Sequence, residues 1–179
     1  MNPIAILSAH YDIDSEAYRI VKAHGEDVAR KALQIAGLHP EMNLDLTFIE
    51  EAAILHDIGV FMCKAPEIGC YGEAAYICHG YLGAGLMRRE GYPAHALVCE
   101  RHTGTGISRE EIISRNLPLP QHDMLPLSPE EQLICFADKF FSKTHLGEEK
   151  KIDKIKSGLA KYGDDTLARF GHWCKLFLG

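Results

Sequence analysis

The residues with chemical potential in this sequence are histidines and aspartates. Ten histidines occur in 179 residues, and four of them fall on apolar stripes with helical spacing. His24 shares a stripe with Ala17, Ile20, Val21 and Val28, and His56 continues one through Ile49, Ala52 and Ala53. His79 lies with Ala75, Leu82 and Leu86, and His102 with Ala94, Leu97 and Val98. Asp138 joins Ile134, Ala137 and Phe141 on a fifth stripe, and Asp57 directly follows His56. A stripe of this period faces the core. A buried carboxylate costs on the order of several kcal/mol unless it is paired or coordinated. One metal cluster would satisfy all six groups, and helix bundles build such clusters from inward side chains on facing helices. Imidazole suits Fe, Mn, Zn, Co or Ni better than Ca or Mg. Six ligands exceed a tetrahedral zinc site with an open position. The expectation is one or two divalent transition metal ions, two favoured, sharing one aspartate. Two such ions outweigh two aspartates, so the pocket should prefer an anionic substrate.

The elements that must carry these groups are helical almost throughout. Asp14 or Ser15 can cap a first helix that runs to about Ala36, with Gly37 beyond it. Thr47 with Glu50 has the form of a capping box opening a second helix near Phe48, which Gly59 would end. A third is expected from about Glu73 to Glu90, stopped by Gly91, and a fourth from Pro93 to before Gly104. Ser108 with Glu111 marks a short helix. Pro118, Pro120 and Pro126 make a loop, and Ser128, Pro129 and Glu131 open a helix expected to reach Thr144. Lys150 to Tyr162 and Asp164 to Phe177 give two closing helices, which either pack on the core or form a homodimer face through Phe170, Trp173 and Phe177. No alternating strand pattern of useful length occurs. The fold class is therefore all-α, one domain over 1–179 with about six to eight helices, the ligand-bearing core spanning about 17–144.

Composition narrows the function. The net charge of −6 is spread along the chain, with no basic stripe, so neither a nucleic acid polymer nor a membrane surface is the expected partner. Neither a signal peptide nor a membrane span is legible, which points to the cytoplasm. None of the six cysteines forms a C-x-x-C pair, so they read as reduced, mostly buried thiols. His10, His39, His95, His122, His145 and His172 lie in loops or off the stripes and read as surface or locally hydrogen-bonded groups.

The ordered set His24, His56-Asp57, His79, His102 and Asp138 resembles the HD-domain superfamily of metal-dependent phosphohydrolases. ILHDIGV (Ile54 to Val60) has the HDIG form, and ICHGYLGAGLM, RHTGTGIS and SPEEQLICFADKF resemble the later ligand segments. The resemblance implies a helical HD-domain bundle in which His24, His56, Asp57 and Asp138 hold a first metal. His79 and His102 would hold a second, with Asp57 bridging. It further implies a metal-activated hydroxide attacking a small phosphate ester or anhydride such as a nucleotide, His56 and Asp57 at the catalytic centre. Lys64, Arg101, Lys139 and Lys143 are the cations available to the phosphate. Gly91-Tyr92-Pro93 spells the tripeptide of the cyclic-dinucleotide branch, but it precedes His102 and reads as a helix stop followed by a start. Two other readings share the ligand order: a di-iron oxygenase on a polyol or phosphonate, and a non-catalytic ligand-binding HD module.

Overall fold

The computed structural model describes residues 1–179 and is helical, as the periodicity requires. Nine α-helices occur: α1 (Pro3–His10), α2 (Glu16–Ala36), α3 (Leu46–Leu55), α4 (His79–Arg89), α5 (Pro93–Arg101), α6 (Arg109–Ser114), α7 (Pro129–Asp138), α8 (Ile152–Leu159) and α9 (Asp164–Leu178). The excess over the expected six to eight includes α1, an apolar run too short for its period to be read. The only sheet pairs β1 (Lys64–Ala65) with β2 (Cys70–Tyr71), antiparallel. No helix is long and apolar enough to cross a membrane.

The caps explain most boundaries. Ser15 accepts from Tyr18 N–H to open α2, and Ser108 with Glu111 forms a complete capping box on α6. Ser128 accepts from Glu131 N–H with Pro129 at the first helical position of α7. Asp45, not the expected Thr47, caps α3 through Phe48 N–H. Gly91 takes φ 85°, ending α4, and Pro93 opens α5.

Three helices are shorter than their stripes suggested. α3 stops at Leu55, before Gly59; α4 begins only at His79; α7 ends at Asp138 rather than Thr144. The side-chain period persists into the adjoining turns, so sequence overestimates the helix there. As a result most of the histidine and aspartate groups lie at helix ends.

Five helices form the frame around them. α2 packs along α3, α4 along α5, and α7 lies against α2, α3 and α5. Backbones touch where glycine permits. A Cβ on Gly25 would stand 2.7 Å from the Ile54 carbonyl oxygen, and one on Gly59 would stand 2.3 Å from that of His79. The largest apolar cluster joins α2, α3 and α7 to α8 and α9, with Phe136, Phe170 and Phe177 fully buried. Phe170, Trp173 and Phe177 are thus core residues of this chain, which removes them as a dimer face.

Candidate metal centre and its lysine mouth

Every expected ligand arrives at one place. His24 comes from the middle of α2, His56 from the C-cap of α3 and Asp57 from the turn after it. His79 is the first residue of α4, His102 the C-cap of α5 and Asp138 the last residue of α7. His24, His56, Asp57, His79 and His102 are buried.

Backbone carbonyls set the tautomers. His56 Nδ1 lies 2.6 Å from the Ala53 carbonyl, His79 Nδ1 2.7 Å from that of Tyr76 and His102 Nδ1 2.8 Å from that of Cys99. A carbonyl can only accept, so each Nδ1 carries a proton and each Nε2 turns inward. Asp57 divides these inward nitrogens into two groups. Its Oδ2 lies 3.0 Å from His56 Nε2 and 3.3 Å from His24 Nε2. Its Oδ1 lies 3.3 Å from His79 Nε2 and 3.4 Å from His102 Nε2. Asp138 Oδ1 closes the first group, 2.9 Å from His24 Nε2 and 3.5 Å from His56 Nε2.

This set fits metal ions. Ligand atoms about 2.1 Å from one ion lie about 3.0 Å apart at a right angle and about 3.4 Å apart at the tetrahedral angle. His79 Nε2 and His102 Nε2 are 3.0 Å apart with both protons committed elsewhere, so two lone pairs face each other. His56 Nε2 and both Asp57 oxygens are buried without a well-directed hydrogen bond. A shared cation resolves both conflicts.

Electrostatics favour ligation at His79 and His102 and oppose it at His56. Burial pushes the His79 imidazole down to about 3, and burial lowers His102 as well, which keeps both neutral as ligands must be. Burial also opposes a charge on His56, but Asp57 and Asp138 outweigh it and raise the group to about 9. Burial disfavours ionised Asp57 and Asp138, yet both stay well below the usual carboxylate range. His56 and Lys143 hold Asp57 down, and Lys139 and His24 hold Asp138 down.

Of the four cations expected near an anion, two are present. Lys143 Nζ lies 2.5 Å from Asp57 Oδ2, and Lys139 Nζ 2.7 Å from Asp138 Oδ2. Lys64 is exposed on β1 and does not line the cavity. Arg101 is held by Glu131, with contacts of 2.9 and 3.2 Å, and does not line the cavity. The cluster opens into a cavity of about 940 Å³ lined also by Tyr76, His145, Lys150, Lys151 and Lys154. Sequence reading missed these. Lysines spread over a loop and a helix start form no basic stripe, and Tyr76 carries only a ring at the end of an apolar segment. The loop residue His122 contacts Glu100 at 3.2 Å and does not line the cavity. His95 is buried beside Glu51, not on the surface.

Comparison with known proteins alters the functional reading. No protein-family model and no solved structure matches the chain. An uncharacterized protein of Methanocaldococcus jannaschii is 33% identical over 120 residues, which is 66% of this chain and 63% of that protein. The tRNA (cytidine(56)-2'-O)-methyltransferase of Thermoplasma volcanium is 31% identical over 147 residues, 81% of this chain and 38% of the enzyme. Its namesake in Picrophilus torridus is 28% identical over 149 residues, 83% of this chain and 37% of the enzyme. The chain thus spans under two fifths of these methyltransferases. Their named reaction is methyl transfer to tRNA, not hydrolysis of a phosphate ester. The assignment to HD-domain phosphohydrolases is corrected on this ground, and with it the small-nucleotide substrate and the exclusion of a nucleic acid polymer. The oxygenase and non-catalytic HD readings gain no support either.

Proposed function

We propose that this chain serves tRNA ribose methylation, as the counterpart of the matching portion of tRNA (cytidine(56)-2'-O)-methyltransferases. It holds divalent metal in the His–Asp cluster and RNA phosphate at the lysine-lined mouth. The observation that carries this reading is the gathering of Lys139, Lys143, Lys150, Lys151 and Lys154 around one cavity in a chain of net charge −6. A local cationic mouth on an acidic protein suits a polyanion that is bound at one place rather than along a face. The match over four fifths of the chain to enzymes named for a tRNA substrate supports RNA as that polyanion.

In this reading His24, His56, Asp57 and Asp138 would hold one ion, and His79 and His102, with Asp57 between the two groups, would hold a second. A bound ion would polarise an oxygen brought to it, such as a ribose hydroxyl or a water. The lysines fix the phosphate, and the Tyr76 ring offers a face for a base.

The test is binding of a labelled tRNA transcript together with incorporation of a labelled methyl group into that tRNA. Salt-sensitive tRNA binding that is lost when Lys150 and Lys154 are both changed to Glu is the expected result. Methyl incorporation would place the transfer step in this chain; binding without it would confine its share to holding the RNA. Failure to bind tRNA at low salt overturns the proposal.

A further inference from the structure

Lys139 and Lys143 hold positions that conflict with a metal on the cluster. Lys143 Nζ lies 2.5 Å from Asp57 Oδ2, the oxygen that also faces His24 and His56. Lys139 Nζ lies 2.7 Å from Asp138 Oδ2 and donates to the His102 carbonyl at 3.3 Å. Their side chains are only 14% and 11% exposed. Two ammonium groups therefore pair with two carboxylates inside the protein. A divalent cation coordinated by Asp57 Oδ2 must take the place of the Lys143 ammonium and repels that of Lys139. Each lysine has a flexible four-carbon stem, and the same cavity continues outward to Lys150 and Lys154.

We infer that Lys139 and Lys143 are exchangeable counter-ions. Divalent cations on the His–Asp cluster displace them toward the mouth, where with Lys150 and Lys154 they bind a phosphate group. The inference rests on the proposed reading of the cluster as a metal centre facing RNA. It makes metal and phosphate binding mutually reinforcing, because each favours the outward lysine position. The shared chemistry is a phosphate oxygen, supplied by an RNA phosphodiester or by free phosphate.

The full chain, stripped with chelator, is titrated with Mn²⁺ alone as wild type, Lys143→Met and Lys143→Gln. Both variants lack the competing ammonium and should bind Mn²⁺ about tenfold tighter, within the usual range of such couplings. A lysine that merely supports the fold would give weaker binding or no change, and that result overturns the inference. The wild type offers a test without substitution. Acylation of Lys139 and Lys143, read by peptide mass spectrometry, should rise severalfold on Mn²⁺ loading. A single-stranded oligoribonucleotide should reverse the rise. Reversal by inorganic phosphate alone at equal concentration identifies free phosphate as the ligand and overturns the RNA source. Mn²⁺ uptake with unchanged acylation overturns the counter-ion role. No Mn²⁺ uptake by any of the three proteins overturns the metal reading itself, a different and recognisable failure.

Discussion

His79 and His102 present two imidazole nitrogens to each other at 3.0 Å, with each ring's proton already given to a backbone carbonyl. Such a pair wants a cation between its lone pairs. His79→Ala should therefore lower bound metal by about one ion per chain, and Asp57→Ala, which touches both groups, should remove nearly all of it, as measured by elemental analysis. Full metal content in Asp57→Ala would sink the bridging arrangement. A second residue-scale expectation concerns His95, which is buried against Phe48 and Tyr92 and lies 3.3 Å from Glu51. The Met1 amine contacts the same glutamate. Burial lowers the His95 pKa below the ordinary 6.5 despite Glu51. The folded state then binds fewer protons than the unfolded chain below that value. The contribution to stability is complete above about pH 6.5 and is lost as pH falls toward the folded pKa. Chemical denaturation at pH 7 and pH 5 should show a loss in wild type that is smaller in His95→Gln.

At the scale of elements, helix ends carry the site except for His24, which lies within α2. The turn after α3 reaches the first turn of α4 so closely that a Cβ on Gly59 would meet the His79 carbonyl oxygen at 2.3 Å and the Gly83 nitrogen at 2.4 Å. Backbone cannot yield as a side chain does. Gly59→Ala should cost about 3 kcal/mol, the upper part of the overpacking range, and should weaken metal binding because His79 moves with α4. Gly85→Ala, in the same helix but with nothing nearer than 3.6 Å, should be neutral or stabilise by up to about 1 kcal/mol through helix propensity. Thermal melts of both variants make the comparison. The ligand stripes were legible because their residues keep the helical period. The actual helix ends were not, because a residue one turn beyond an end keeps that period while its backbone partner is set by a cap or a neighbouring helix.

At the scale of the whole molecule, α9 ties the last part of the chain to the site. Phe170, Trp173 and Phe177 fill the largest apolar cluster. Arg169, on the same helix, donates to the Thr105 carbonyl and to that of Gly106, both at 3.2 Å, and so pins the loop that follows His102. Arg169→Ala should weaken metal binding about tenfold, the scale of outer partners of ligands, in a titration monitored by calorimetry, while removing little core. Trp173→Ala should instead destabilise by about 3–5 kcal/mol as a buried aromatic truncation, with no change in particle mass by light scattering. A change in mass on that substitution would restore the interface reading that burial argues against.

Read alone, the sequence determined an all-α chain and six inward ionisable groups in fixed order, because apolar period and the cost of a buried charge are local properties of residue type and spacing. It did not determine the partner. Lys139, Lys143, Lys150, Lys151 and Lys154 form no stripe in sequence and become one cationic mouth only when the segment after α7 folds over the cluster. Tertiary structure also decided which oxygen of Asp57 meets which histidines, and that Lys64 and Arg101 stand apart while Lys139 and Lys143 sit on the carboxylates. Those are facts of distance between groups far apart in sequence, and charge acts over distance in space rather than along the chain.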